Sequence, residues 1–297
     1  MDPECISEAI CSKIKGSNQA TFIKHLNQLN PTQKEILLKQ LDKLDLKKVA
    51  EVLKNSNELE SSYESFISTL EAISYDHIDY DLGKMNSECL RNYETLGFNA
   101  ISNGEVAIVL LAGGISSRLS ISYPKGIFSI DLLSNKSLFQ LQAEKLIRLK
   151  KLSNEINRNN KNKCSIPWYI MTSSFTHQAT YEHFLVNDYF GLSKDDVIFF
   201  EQKPMPLLST DGKLILDENL TLAQAPSGTD GLYDALIENN ILNHMKGRGI
   251  KHVHIYCIEN VLVKIADPVF TGICIKNKIE SGVKVGKSYH KFSFLSR

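Results

Sequence analysis

The sequence has no excess of either charge. Lys plus Arg and Asp plus Glu stand at 34 each in 297 residues, for a formal net charge of +0. That balance excludes the global positive field with which nucleic-acid binders release counterions, and no acidic tail is present. Nowhere does an apolar run approach the roughly 20 residues that a membrane helix needs. Residues 1–16 carry early acids, Asp2 and Glu4, and no apolar h-region, so no secretory signal is expected. The six cysteines (Cys5, Cys11, Cys89, Cys164, Cys257 and Cys274) include no Cys-x-x-Cys pair, which argues against a zinc ribbon or redox dithiol. Reduced thiols in a soluble cytoplasmic protein are the expectation. Gly-x-Ser-x-Gly is missing, and Gly-x-Gly-x-x-Gly cannot be written through the glycine loop described below. A serine-hydrolase elbow and a dinucleotide fingerprint are thereby excluded. His252 and His254 alternate on a candidate strand, but no third metal ligand stands at a persuasive spacing.

What is present divides near residue 100. Residues 1–100 read as polar and helical. Gln33 to Leu53 places Ile36, Leu37, Leu41, Leu44, Leu46, Val49 and Val52 near helical spacing, with Pro31 just ahead, where a helix start tolerates proline. Leu59 to Tyr80 mixes aromatic and acidic residues without a clear period. From Glu105 the pattern changes. Val106–Leu111 is a short continuous apolar run ending in Ala-Gly-Gly, the pattern of a strand buried on both faces. Helices are expected at Leu138–Leu152, Phe175–Val186, Gly231–Met245 and Asp267–Lys276. Further strands are expected at Ile166–Met171, Val197–Phe200 and His252–Cys257, and a hairpin turn at Asp211–Gly212. Alternation of this kind predicts an α/β fold with a mostly parallel sheet, binding its ligand beyond the carboxyl ends of the strands.

The loop after Leu111 carries the chemistry. It reads Leu111-Ala-Gly-Gly-Ile-Ser-Ser-Arg-Leu-Ser120, then Tyr123-Pro-Lys-Gly126. Gly113 and Gly114 let backbone amides approach a ligand closely, because no Cβ intervenes, and successive amides form an anion-binding concavity. Arg118 offers a forked guanidinium and Lys125 a point charge to phosphate. Gly-Lys-[Ser/Thr] is missing, so this is no Walker loop.

In its order of motifs the chain resembles the eukaryotic UDP-N-acetylhexosamine pyrophosphorylase family. The resemblance rests on the glycine loop with Pro124-Lys125, then Ser137–Glu144, Ile166–Ser173, Tyr189–Leu192, Val197–Gln202, Ala225–Tyr233 and Tyr256–Pro268. It implies a Rossmann-like nucleotidyltransferase domain over 101–285, behind a helical N-terminal region of 1–100. The implied reaction joins UTP and N-acetylglucosamine 1-phosphate (or another N-acetylhexosamine 1-phosphate) into the UDP-sugar and pyrophosphate, with Mg2+. By the family pattern, Arg118 and Lys125 are catalytic. Ala112, Gly113, Gly114 and Ile115 lie along the nucleotide. Gln202 and Gly228 meet uracil, Thr229 makes a polar contact, and Cys257 lies at the ribose. Glu259 stands at the metal aspartate's position.

Departures cluster at the same place. Ser116 and Ser120 replace loop glycines, Ile115 replaces glutamine, Asp230 adds a negative charge, and Glu259 is one methylene longer than the family's aspartate. The match fades after Val285. The family's sugar-binding segment and late lysine have no counterpart in the chain, and 286–297 is an unmatched tail of the kind a frame change, a retained intron or a truncated gene model leaves. Weak or no turnover is therefore expected, and a truncated or decayed, non-catalytic UTP- or UDP-sugar-binding relative is the alternative.

Overall fold

The computed structural model describes residues 14, 19, 25–26, 28–42, 44–46, 49, 51, 81–115, 121–156 and 164–286. In chain order the elements are helix α1 (Pro31–Asp42), helix α2 (Ser87–Ser102), strand β1 (Val106–Leu111), helix α3 (Leu138–Ile156), strand β2 (Trp168–Ser173) and helix α4 (His177–Val186). There follow strands β3 (Val197–Gln202), β4 (Pro204–Pro206) and β5 (Gln224–Pro226), helices α5 (Gly231–Glu238) and α6 (Ile241–Gly247), strand β6 (His252–Cys257) and helix α7 (Pro268–Asn277).

Contacts divide the chain into two units. Residues 1–79 with 204–227 form the first, and 80–203 with 228–297 the second. The boundaries expected from the sequence lie at residues 100 and 285. Two packing facts move the first of these. Helix α2, which starts before it, packs along α7, near the chain's end; an ideal Cβ on Gly97 falls 1.9 Å from the Pro268 carbonyl oxygen. The hairpin, far beyond it, buries its leucines with N-terminal ones.

In that smaller unit, Leu37, Leu38 and Leu41 of α1 share a core with Ile14, Leu26, Leu46, Leu214 and Leu222. Helix α1 starts on a reciprocal cap: Gln33 N–H donates to Asn30 Oδ1 (2.9 Å), and Asn30 N–H to Gln33 Oε1 (3.3 Å). It stops at Asp42, and residues 46, 49 and 51 are helical again. Leu37, Leu41 and Leu46 of the expected stripe are buried, whereas Ile36 is exposed and Leu38 is buried in its place. The expected turn forms at Asp211–Gly212, with Gly212 at φ +80° and Ser209 N–H donating to the Lys213 carbonyl (2.8 Å). Gln19 clamps it, donating to the Gly212 carbonyl (2.7 Å) and accepting from Leu214 N–H (3.0 Å). The segment Leu59–Tyr80 lies outside the described residues.

The larger unit carries a parallel four-stranded sheet in the order β3-β2-β1-β6. The uninterrupted apolar run of β1 has its reason in burial on both faces. Val106, Ile108 and Leu110 join Phe98 and Ile101 of α2, Phe139 and Leu146 of α3, and Phe184 of α4 on one side. Ala107 and Val109 join Leu232, Ala235 and Leu236 of α5 and Ile241 and Met245 of α6 on the other. The single helix expected at Gly231–Met245 is two, because Asn240 turns left-handed (φ 57°) between them, a conformation asparagine tolerates. Helix α7 opens as its sequence indicated: Pro268 sits in the first turn and the Asp267 carboxylate accepts from Val269 N–H (3.1 Å). Among the described residues, no helix is long and apolar enough to cross a membrane.

Candidate functional site

The parallel sheet sends β1, β2, β3 and β6 the same way, so their carboxyl ends meet at one edge. At that edge Ala112 prolongs β1, donating its N–H to the Met171 carbonyl (2.9 Å), and Ile258 N–H donates to the Leu111 carbonyl (3.1 Å). The chain then enters the glycine loop and returns where Ile115 bridges Pro124. Arg118, together with Ser116 and Ser120, falls within 116–120, outside the described residues.

The two glycines differ in what surrounds them. A Cβ on Gly113 would lie 2.3 Å from Gln202 Nε2 and 3.2 Å from the Thr172 carbonyl carbon. A side chain here would have to displace the buried Gln202 amide at the end of β3 and crowd β2. On Gly114 the same atom would stand 3.8 Å from Lys125 Nζ, an ordinary contact. Packing therefore does not exclude a side chain at Gly114. Lys125 rides on a short 3-10 turn, Lys125–Ile127. Behind that turn Gly126 lies against the Phe139 ring, where a Cβ would approach within 2.1 Å.

Lys125 Nζ is paired with the Glu259 carboxylate, which stands two residues beyond β6 and is half exposed. The turn carrying Glu259 is held by Lys145 of α3, whose Nζ donates to the carbonyls of Val261 (2.7 Å) and Val263 (3.2 Å). Desolvation lowers the Lys145 ammonium from its ordinary range. Cys257 ends β6 with its carbonyl accepting from Asn260 N–H (3.0 Å). Burial pushes its thiol up, and the Glu259 charge adds to that.

The structure thus brings together Ala112, Gly113, Gly114, Ile115, Lys125, Gln202, Cys257 and Glu259 at one edge of the sheet. Gly228 and Thr229 stand exposed ahead of α5, which packs on β3. Gly228 has φ +78°, a value that only glycine takes without strain. Among the described residues, no hydrogen bond or ion pair joins Thr229 to the glycine loop. Asp230 is the residue before α5 and makes no capping bond. His254 serves the fold, its Nδ1 accepting from Ala266 N–H (2.9 Å).

Among the described residues, no group of three His, Cys, Asp or Glu side chains could hold a metal. Glu259 offers a carboxylate at this edge. That suits magnesium, which takes one or two carboxylates and completes its shell with phosphate oxygens and water. Two supports escaped the sequence reading: Lys145, and the Ser173 hydroxyl, which bonds the Gly113 carbonyl. Ser173 lies inside a motif already noted, yet nothing in a linear sequence shows which carbonyl its side chain meets.

The family model described as UTP--glucose-1-phosphate uridylyltransferase matches residues 42–291. Among curated proteins, the UDP-N-acetylhexosamine pyrophosphorylase-like protein 1 of Xenopus tropicalis is 40% identical over 272 residues, 91% of this chain and 53% of that protein. The UDP-N-acetylglucosamine pyrophosphorylase of Saccharomyces cerevisiae is 39% identical over 273 residues, 90% of this chain and 56% of that protein. Among solved structures, the uridine diphosphate N-acetylglucosamine pyrophosphorylase from Trypanosoma brucei, in complex with inhibitor, superposes with a TM-score of 0.72. It is 28% identical, and the match covers 92% of this chain and 55% of that one. The chain spans about half the length of the curated relatives it matches. With the family model covering most of its residues, the chain belongs to the UTP--glucose-1-phosphate uridylyltransferase (UDPGP) family.

Proposed function

We propose that this chain binds UTP at the carboxyl edge of its sheet, as the nucleotide half of a UDP-N-acetylhexosamine pyrophosphorylase. The observation that carries the reading is the placement of Lys125 Nζ beside Gly114, with Gly113 wedged against Gln202. A cation and an open glycine backbone then face the same space, which suits a polyphosphate. Gln202 at the end of β3 and Gly228 ahead of α5 are the candidates for the base, and the backbone at Cys257 for the ribose. Thr229 adds a polar group and Ile115 lines the loop. Arg118, on the same loop, supplies the second cation.

In the reaction, a sugar 1-phosphate oxygen attacks the α-phosphorus of UTP. The bond from that phosphorus to the bridging oxygen breaks, and pyrophosphate leaves with the electron pair. Lys125 and Arg118 would offset the charge that gathers on the phosphate oxygens. Glu259 would hold a magnesium ion, whose chemistry is to neutralise that same charge. The ion pair between Lys125 and Glu259 orients both side chains. The sugar partner is an N-acetylhexosamine 1-phosphate, as the names of the relatives indicate. Among the described residues Cys89, Cys164, Cys257 and Cys274 are free thiols, which suits a cytoplasmic protein, and we propose that location.

Titration of the purified chain with UTP and magnesium tests the reading. Saturable binding is expected, and Lys125→Gln should weaken it roughly 10- to 100-fold, the loss of one charge-assisted contact. Failure of the wild-type chain to bind UTP would refute the proposal. Pyrophosphate release on adding the sugar phosphate separates an active transferase from a chain that only binds.

A further inference from the structure

We propose that Ser173 is a positioning residue for the nucleotide loop: its buried hydroxyl locks the Gly113–Gly114 peptide so that the Gly114 N–H faces the phosphates. The inference rests on the UTP-binding reading above.

Ser173 is the last residue of β2 and is 1% exposed. Its Oγ donates to the Gly113 carbonyl at 2.7 Å, across 60 residues of chain. A carbonyl can only accept, and a hydroxyl has one proton. The proton of Ser173 is therefore committed to Gly113. The neighbouring Thr176 Oγ1 has two acceptors for its own proton, Ser173 Oγ at 3.1 Å and the Ser173 carbonyl at 3.5 Å. Thr176 is fully buried and is fixed in turn by accepting from Ser173 N–H (3.0 Å). The result is a buried cluster in which Thr176 supports Ser173 and Ser173 holds the Gly113 carbonyl.

The geometry of the peptide converts that anchor into function. In a planar trans peptide, C=O and N–H point in opposite directions. Holding the Gly113 oxygen inward on Ser173 turns the Gly114 N–H outward. Gln202 and Thr172 lie close on the other side of Gly113. Gly114 lies beside Lys125 Nζ, so the outward N–H and the ammonium serve the same anion. A Gly-Gly peptide is otherwise free to rotate, since both residues accept either sign of φ. Without the Ser173 hydroxyl, the inward carbonyl is left buried and unsatisfied. Rotation relieves it and turns an oxygen, instead of an N–H, toward the phosphates.

The test compares UTP with uridine, which has the same base and ribose and no phosphate. Ser173→Ala is expected to raise the Kd for UTP about tenfold, the effect of one hydrogen bond to a charged group. Affinity for uridine should stay within about twofold of wild type. Ser173→Thr, which restores a hydroxyl on a strand residue, should recover UTP binding. Should Ser173→Ala not fold, Thr176→Val removes the hydroxyl that supports Ser173 and is expected to give the same selective loss. Unchanged UTP affinity overturns the inference, and so does equal weakening of UTP and uridine, which marks a general structural defect. A wild-type chain that ignores UTP sinks the UTP reading itself, and the inference with it.

Discussion

Replacing Gly97 or Gly272 by alanine is expected to lower the melting temperature by roughly 6–12 °C, the equivalent of about 3 kcal/mol. The ordinary expectation has the opposite sign. Alanine in a helix interior is worth about 0.5–1 kcal/mol more than glycine, because it loses less backbone entropy on folding. Here the two helices leave no room for it. A Cβ on Gly97 of α2 would stand 1.9 Å from the Pro268 carbonyl oxygen at the start of α7. On Gly272 of α7 it would stand 1.8 Å from the Tyr93 carbonyl oxygen in α2. Both clashes are with backbone, which cannot rotate away as a side chain does, so the helices must part. Gly247, at the end of α6, has nothing within 4 Å of its would-be Cβ and serves as the control. Gly247→Ala should be neutral or stabilising. Thermal unfolding followed by circular dichroism decides the matter. Melting of both crossing variants within about 2 °C of wild type would falsify the close approach, since 1 kcal/mol is worth about 2–4 °C in a domain of this size.

The second large effect lies at Asp196, far in sequence from its partners. Its carboxylate accepts from Ser165 Oγ (2.6 Å), Arg248 Nη2 (2.7 Å) and Lys150 Nζ (2.8 Å). Arg248 also donates to the Asp195 carbonyl (2.7 Å) and to Ser165 Oγ (2.8 Å). The site ties α3 and α6 to the start of β3. Burial pushes the Asp196 carboxyl up, but Lys150, Ser165 and Arg248 together outweigh it and hold the group below its ordinary range. Asp196→Asn keeps the size of the side chain and leaves two cations facing each other without their anion. A loss of about 3 kcal/mol is expected, as for other buried pairs that lose one member. The pH dependence follows from the direction of the shift. A depressed carboxyl contributes stability above its unfolded value, about 3.9, and loses it as pH falls through the lower folded value. Urea midpoints of wild type and variant should therefore differ most at neutral pH and converge below about pH 4. A gap that stays constant from pH 7 to pH 3 would show that Asp196 is not held as an anion.

Much of this molecule can be read from local chemistry. The apolar run Val106–Leu111 forms a strand where expected, because its alternate residues enter two cores and neither face meets water. Pro268, Asp211 and Gly212 act within a few residues of themselves, and each does what its backbone permits. Asn240 shows the limit of a periodic reading. The apolar spacing continues through it, while one left-handed residue ends α5 and starts α6. The leucines of α1 mark another limit. Which of Ile36 and Leu38 faces inward depends on the hairpin leucines nearly two hundred residues later.

For the site, the sequence by itself determined the chemistry: a strand ending in two glycines, then a lysine, with amide, thiol and carboxylate residues on later strand ends. Those are properties of residue type and order, and they suffice for the family. Only the tertiary structure showed that Gly113 is crowded by Gln202 and Thr172 while Gly114 stands in ordinary contact with Lys125. It alone paired Lys125 with Glu259, clamped the Glu259 turn with Lys145, and set the Ser173 hydroxyl on the Gly113 carbonyl. The physical reason is common to all of these. Each is a contact between segments brought together by parallel strands, and hydrogen bonds across 60 to 134 residues are fixed by the register of a sheet, which no local pattern records.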